Sequence, residues 1–259
     1  MRYGRLLPLI LMLIFSACNS EAPSSTSSVK TPAPTVVSTP MGAPTVTPTM
    51  AIAPSREVHF MTSDHIQLAG LLFGHGKVAV ICSHELRTTK AIWSSTDVVS
   101  LLATRGYMVL AYDFRGNGDS QGSSDVSNLN VDLQAAVAYM QKQGATKIIL
   151  MGSSMGGTAT LQVASSKSVA AIVTLSAPLD FGSGVSDSNL KNIQAPKLFV
   201  NSNDDQFAGD TQHSYAIVSQ PKELHMYPGS AHGTSIFQGP YGGDLTRLIL
   251  SFITHYVPA

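Results

Sequence analysis

The sequence predicts an α/β fold with a mostly parallel sheet that is covered by helices on both faces. From residue 78 onward, short apolar runs alternate with longer stretches of helix-forming residues. Runs without polar alternation are typical of strands that are buried on both faces, and the stretches between them supply the crossovers that parallel pairing needs. The predicted strands cover residues 78–83, 108–113, 147–151, 170–175, 196–201 and 222–227. The predicted helices cover residues 91–105, 128–143, 155–166, 210–219 and 239–256.

Two segments ahead of these runs predict a β-hairpin. Residues 56–61 and 66–73 alternate polar and apolar side chains around the turn-forming residues 62–65. Ligands of parallel sheets bind beyond the carboxyl ends of the strands, so the residues that follow each predicted strand are the candidates for a functional site.

The composition of the chain argues against some kinds of binding partner. Hydrophobic residues make up 44% of the chain and charged residues 12%, and the formal net charge is zero. Binding to nucleic acid calls for a basic face, so this balance argues against it. The balance also gives no electrostatic reason to expect a strongly charged substrate.

The amino terminus predicts export. Arg2 and Arg5 precede an apolar run over residues 6–15, which is too short to cross a membrane comfortably. The following Ser-Ala-Cys resembles the end of a bacterial lipobox, with Phe15 in place of the usual leucine. That resemblance implies a signal peptide over residues 1–17, lipidation of Cys18 and anchoring to the outer face of the cell membrane. The alternative is an ordinary signal peptide with a chance cysteine.

A Ser/Thr/Pro-rich segment separates this signal from the folded part of the chain. Residues 18–54 carry only two charges, Glu21 and Lys30, and seven of the fourteen prolines. Such a composition cannot bury a core, so we expect a disordered tether there and one folded domain over residues 55–259.

A serine between glycines follows the predicted strand 147–151. In Gly152-Ser153-Ser154-Met155-Gly156, an apolar run stops at a glycine and a helical stretch begins. This strand–turn–helix context turns the G-x-S-x-G pattern into a nucleophile elbow, which raises the Ser154 hydroxyl at the carboxyl end of a strand. The tight turn needs small residues at positions 152 and 156.

Two later strands end in the groups that a serine nucleophile needs. His232 lies in a glycine-rich loop after the last predicted strand, and Asp204 and Asp205 follow the strand before it. A histidine base and a carboxylate that orients it complete the requirement for nucleophilic catalysis by Ser154. The order Ser, Asp, His along the chain is the one found in α/β-hydrolases.

The chain resembles the α/β-hydrolase superfamily over residues 55–259. Residues 112–120 are similar to its D-x-R-G-x-G-x-S segment, and the other motifs fall in the family's order, most like the dienelactone-hydrolase and serine-peptidase-like branches. The resemblance implies an eight-stranded, mostly parallel sheet with an antiparallel second strand. Only about twenty residues separate 175 from 196, where larger relatives insert a lid. We therefore expect no large lid and an open, shallow pocket that suits small acyl groups.

The resemblance also implies roles for individual residues. Ser154 is the nucleophile, His232 is the base, and the family spacing selects Asp205 as the acid with Asp204 as the alternative. The backbone N–H groups of Met155 and Leu86 are the implied oxyanion donors.

Three residues near this site have open or structural interpretations. Glu85 stands where the family usually has a glycine, and its carboxylate either intrudes on the pocket or faces solvent. We expect Asp113 and Arg115 to pair with each other and to brace the oxyanion loop without taking part in the chemistry.

The sequence therefore predicts a serine hydrolase that cleaves small carboxylic esters through an acyl-enzyme outside the cytoplasm. The alternatives are a serine peptidase acting on short peptides, a transacylase, or a catalytically silent binding protein on the same scaffold. No metal or nucleotide motif appears, so no cofactor is implied, and no feature specifies an oligomeric state. The remaining cysteine, Cys82, is interpreted as a buried small hydrophobe.

Overall fold

The structure is a computed structural model that describes residues 53–259. The predicted signal peptide, the lipidation site at Cys18 and the tether up to residue 52 lie outside the described residues. One eight-stranded sheet forms the centre of the domain, in the order β1-β2-β4-β3-β5-β6-β7-β8. Its strands are β1 (Ser55–Met61), β2 (Gln67–Phe73), β3 (Val78–Ser83), β4 (Met108–Tyr112), β5 (Lys147–Ser153), β6 (Ala171–Leu175), β7 (Lys197–Ser202) and β8 (Lys222–Tyr227).

The pairing directions confirm the predicted sheet. The β1–β2 hairpin is antiparallel, β2 also pairs antiparallel with β4, and every other pair is parallel. Strands β3 and β5 lie side by side in the middle of the sheet, each with all or nearly all of its residues buried. The carboxyl ends of β3 and of β5 to β8 therefore meet at one edge, where the predicted site residues follow them.

Helices cover both faces of the sheet, as expected for buried parallel strands. One apolar cluster joins one face to α1, α2 and α7, and a second cluster joins the other face to α3, α4 and α5. The helices are α1 (Ala91–Ser94), α2 (Asp97–Thr104), α3 (Leu129–Lys142), α4 (Met155–Ala164), α5 (Asp187–Asn192), α6 (Ala208–Ile217) and α7 (Gly242–Tyr256). None of the helices within residues 53–259 is long and apolar enough to span a bilayer.

The helices differ from the prediction in two places. The predicted helix over 91–105 is divided, because Thr96 adopts an extended conformation between α1 and α2. The short helix α5 was not predicted. It begins with a capping box in which the Ser186 hydroxyl accepts the Asn189 N–H and the Asn189 side chain accepts the Ser186 N–H.

The described residues start two positions before the predicted domain boundary at residue 55. Ala53 is already buried, and its N–H donates to the hydroxyl of Ser100 in α2. Cys82 is fully buried in β3, and burial raises the pKa of its thiol far above the ordinary range. It therefore behaves as the small hydrophobe that the sequence indicates.

Lys197, the first residue of β7, is a fully buried lysine that makes stability depend on pH. Its Nζ donates to the carbonyl oxygens of Ile193 at 3.1 Å and Ser219 at 2.9 Å, and no carboxylate of the described residues pairs with it. Burial, together with the nearby charge of Lys222, lowers the pKa of Lys197 to about 8.

We expect the Lys197→Met variant to lack the rise in the free energy of unfolding with pH that the titration of Lys197 causes. Between about pH 8 and pH 10.5 the unfolded chain holds the Lys197 proton and the folded chain does not, so stability rises with pH. From pH 7.5 to 9.5 the free energy of unfolding of the wild type should therefore rise by about 2 kcal/mol relative to that of Lys197→Met. Urea titrations at the two pH values measure this difference, and parallel curves would show that Lys197 does not titrate in the folded protein.

Candidate active site

The predicted nucleophile lies at a sharp turn between β5 and α4. Ser154 has φ of +49° and ψ of −119°, a region that residues with a side chain rarely occupy. Its N–H donates to the Leu175 carbonyl oxygen of the neighbouring strand at 2.8 Å, and its own carbonyl oxygen accepts the Gly157 N–H at 2.8 Å. These contacts hold the strained turn in place at the carboxyl end of β5.

Two glycines allow this turn to form, as the sequence predicts. A side chain at Gly152 would collide with the carbonyl oxygen of Gly156, and one at Gly156 would collide with the carbonyl oxygen of Ser83. The first turn of α4 is thus packed against the end of β3. This contact brings the elbow next to the loop from which the second oxyanion donor is predicted to come.

The predicted base and acid are in direct contact. Asp205 Oδ2 lies 2.7 Å from His232 Nδ1, and the other carboxylate oxygen accepts the Phe207 N–H at 2.7 Å. The Asp205 side chain is only 2% exposed, whereas that of His232 is 31% exposed and lies beside the Phe207 ring. A buried carboxylate that holds one edge of a more accessible imidazole is the arrangement that a general base requires.

The alternative acid, Asp204, lies elsewhere. It is exposed, and its backbone N–H donates to the Gly229 carbonyl oxygen at 2.9 Å. None of the hydrogen bonds of residues 53–259 joins its carboxylate to His232. The geometry therefore favours Asp205 of the two.

The loop that carries His232 is fastened next to the elbow. The Gly233 N–H donates to the Ser176 hydroxyl at 2.9 Å, and that hydroxyl donates to Asn201 Oδ1 at 2.6 Å. Gly233 also lies against the side chain of Ser153, the residue before Ser154. In the part of the chain that the structure describes, no hydrogen bond joins Ser154 Oγ to His232, so the proton relay between them stays a prediction. Catalytic contacts of this kind are often long before substrate binds.

The two predicted oxyanion donors have free N–H groups. Among the hydrogen bonds of the described residues, neither the Met155 N–H nor the Leu86 N–H has an acceptor. Met155 is the first residue of α4, where the N–H groups have no partner within the helix. Leu86 is 41% exposed and lies in a tight turn, in which Arg87 has φ of +61° and the Thr88 N–H donates to the Glu85 carbonyl oxygen.

The side chain of His84 is a neutral imidazole that holds the start of this turn in place through two hydrogen bonds. Its Nε2 lies 3.0 Å from the Phe114 N–H and must accept that proton, so its Nδ1 carries the ring proton and donates to the Glu85 carbonyl oxygen at 2.7 Å. His84 is fully buried, and burial lowers the pKa of its ring. The neutral tautomer therefore persists at neutral pH.

Glu85 follows neither of the two expectations for it. Its carboxylate turns inward and accepts hydrogen bonds from Ser153 and Thr234. The sequence gives no signal for these contacts, because Ser153 and Thr234 are far from Glu85 along the chain.

The predicted pair between Asp113 and Arg115 is wrong. The buried Asp113 carboxylate instead accepts hydrogen bonds from the backbone and the Nζ of Lys90, both at 2.6 Å. Arg115 turns away and pairs with Asp64 and Asp132. Asp113 still braces the loop after β3, because Lys90 lies at the far end of that loop, so the expected role stands with a different partner.

The part of the chain that the structure describes, residues 53–259, forms no large lid over Ser154. The segment over residues 176–196 contains only the short helix α5, and hydrogen bonds tie the amino-terminal part of the segment to α4 and α6. Thr158 Oγ1 donates to the Pro178 carbonyl oxygen at 2.7 Å, and the Leu179 N–H donates to Asp210 at 3.0 Å. A cleft of about 270 Å³ between Ile92 and Phe237 is lined by neither Ser154 nor His232.

The described residues present no group of three or more His, Cys, Asp or Glu side chains that is arranged to hold a metal ion. The groups that the proposed chemistry uses are Ser154, Asp205, His232 and the free N–H groups.

Comparison with known proteins agrees with this architecture. A family model described as alpha/beta hydrolase fold matches residues 71–188. The protein YfhR of Salmonella typhimurium is 24% identical over 190 residues, a match that covers 60% of this chain and 65% of YfhR, so the chain spans less than two thirds of that relative.

Two solved structures are similar over most of the described domain. The Pyrococcus furiosus esterase Pf2001 has a TM-score of 0.68 at 20% identity, covering 79% of this chain and 92% of that one. The esterase domain of a Rhodothermus marinus protein has a TM-score of 0.63 at 19% identity, covering 79% and 99%. At these identities the likeness establishes the fold and leaves the activity open. On its sheet order and its matched segment, the chain is an α/β-hydrolase-fold protein.

Proposed function

We propose that the protein is a serine hydrolase that cleaves small carboxylic esters through an acyl-enzyme. The observation that carries this proposal is the 2.7 Å contact between Asp205 and His232, on loops that adjoin the strained turn at Ser154. The similarity to two esterases agrees with ester chemistry on this fold.

In the proposed reaction, His232 Nε2 takes the proton of Ser154 Oγ while that oxygen attacks the ester carbonyl carbon. Asp205 holds the proton on His232 Nδ1 and stabilises the imidazolium that forms. The tetrahedral oxyanion accepts the N–H groups of Met155 and Leu86, each such donor contributing about 3 kcal/mol. His232 then protonates the leaving alkoxide, and water releases the acyl group by the reverse sequence.

The surroundings of the site favour small acyl groups. Leu86 and the His232 side chain are both substantially exposed, and within residues 53–259 the segment after β6 forms no large lid over them. We therefore expect a long acyl chain to gain little apolar contact at the site, whereas an acetyl or butyryl group needs none.

A series of p-nitrophenyl esters tests this proposal. We expect kcat/KM for the acetate or butyrate to exceed that for the palmitate by at least about tenfold, because added methylenes gain no buried contact. Turnover of no ester at all would indicate a silent scaffold, and a preference for palmitate would contradict the open pocket.

We also propose a cellular location for the protein, and this part of the proposal is based on the sequence alone. The basic start, the apolar run over residues 6–15 and Cys18 are the basis for export and for a lipid anchor on the outer face of the membrane.

A further inference from the structure

The carboxylate of Glu85 lies where three loops of the proposed active site meet. Its Oε1 accepts the Ser153 hydroxyl at 2.6 Å, the Thr234 N–H at 2.6 Å and the Thr234 hydroxyl at 2.8 Å. Ser153 precedes the proposed nucleophile, Thr234 follows the proposed base by two residues, and Glu85 itself precedes the proposed oxyanion donor Leu86. One oxygen atom thus connects the three parts of the site.

The backbone of Glu85 is held as firmly as its side chain. Its carbonyl oxygen accepts hydrogen bonds from His84 Nδ1 at 2.7 Å and from the Thr88 hydroxyl at 2.8 Å. With the residue fixed at both ends, the N–H of the next residue, Leu86, has little freedom to turn.

The packing at Gly233 shows how closely the three loops fit. A side chain at this position would collide with Glu85 Oε1 and with Ser153 Oγ, and Gly233 has φ of +55°. Gly233, the residue after His232, therefore packs directly against the two side chains that form the Glu85–Ser153 hydrogen bond. Any displacement of that carboxylate moves the loop that carries His232.

Among the described residues, the Glu85 carboxylate accepts hydrogen bonds from uncharged groups and forms no ion pair. Within residues 53–259, no lysine, arginine or histidine forms an ion pair with it. No hydrogen bond of the described residues reaches its second oxygen, Oε2. The contacts therefore depend on an acceptor oxygen at the Oε1 position and not on an ion pair.

We propose that Glu85 is a positioning residue that sets the distances between Ser154, His232 and the Leu86 N–H. It does not touch the substrate and takes no proton in the reaction. The inference rests on the proposed function, because it concerns the geometry of that same site.

The proposal predicts different effects for two substitutions of Glu85. Glu85→Gln keeps an acceptor at Oε1 and places its amide nitrogen at the Oε2 position, where no donor opposes it. Glu85→Ala removes the acceptor and frees all three loops. A displacement of about 1 Å at a reacting group lowers rates by about 10²-fold.

Steady-state kinetics of the full-length protein on p-nitrophenyl acetate test this difference. We expect kcat of Glu85→Ala to fall by about 10²-fold with KM changed less than about threefold, and Glu85→Gln to stay within about fivefold of the wild type. Glu57→Ala, at an exposed glutamate of β1, is the matched control and should leave both constants unchanged. A wild-type kcat in folded Glu85→Ala, or a Glu85→Gln variant as impaired as Glu85→Ala, would overturn the proposal.

Two further variants decide the matter if Glu85→Ala does not fold. Ser153→Ala and Thr234→Val each remove one hydroxyl that donates to Glu85, and each should lower kcat with KM unchanged. An unchanged kcat in both would overturn the proposal. Turnover by the wild type and its loss in Ser154→Ala test the proposed function separately, so a failure of the positioning role is distinguishable from a failure of the hydrolase assignment.

Discussion

Replacing Asp205 with asparagine should lower kcat by about 10³- to 10⁴-fold while the protein stays folded. The Phe207 N–H lies 2.7 Å from Asp205 Oδ1, so it selects the amide oxygen of the asparagine for that position. The amide NH₂ group then faces His232 Nδ1 and donates to it. This forces the ring proton onto Nε2, and an imidazole in that tautomer cannot accept the proton of Ser154.

The measurement is kcat on p-nitrophenyl acetate beside the urea midpoint of unfolding. Asp204→Asn is the matched control, because its side chain is exposed and forms no hydrogen bond with His232 among the described residues. We expect its kcat to remain within about threefold of the wild type. Loss of activity in Asp204→Asn with normal activity in Asp205→Asn would assign the acid to Asp204 instead.

Replacing Asp132 with alanine should destabilise the protein by about 3–5 kcal/mol. The fully buried Asp132 carboxylate accepts hydrogen bonds from Arg115 Nε at 2.9 Å, from Nη2 at 2.7 Å and from the Arg115 N–H at 2.9 Å. Arg115 is itself only 6% exposed. Removing the carboxylate leaves a buried guanidinium whose one remaining partner, Asp64, is nearly half exposed.

The free energy of unfolding in urea checks this value. Asp187→Ala is the control, since it removes an ion pair to His213 in which both side chains are about half exposed, and such pairs contribute less than about 1 kcal/mol. Equal effects of the two substitutions would show that burial does not govern the cost.

The sheet could be predicted from the sequence because burial on both faces leaves a local pattern. Each buried parallel strand is an apolar run, and the predicted bounds of β3 and β8 match the structure. The short helix α5 could not be predicted from periodicity, since six residues are too few to show it. Its capping box at Ser186 was the available signal.

In the candidate site, too, some features could be predicted from the sequence and others could not. Ser154, His232 and Asp205 could be proposed because each follows a predicted strand, and parallel strands bring such residues to one edge. The partners of Glu85 and Asp113 could not be predicted. Glu85 and Thr234 are 149 positions apart in the sequence. Asp113 pairs with Lys90 and not with the nearby Arg115, and no local sequence pattern indicates that pairing.

Labelling with a fluorophosphonate probe tests the central claim most directly. The probe reacts with a serine only where a base activates its hydroxyl and an oxyanion site receives the phosphonyl oxygen. We predict one adduct per wild-type chain, located on the peptide that contains Ser154, and none in folded Ser154→Ala. A wild-type protein that stays unlabelled, or a Ser154→Ala variant that is labelled as well as the wild type, would contradict the account.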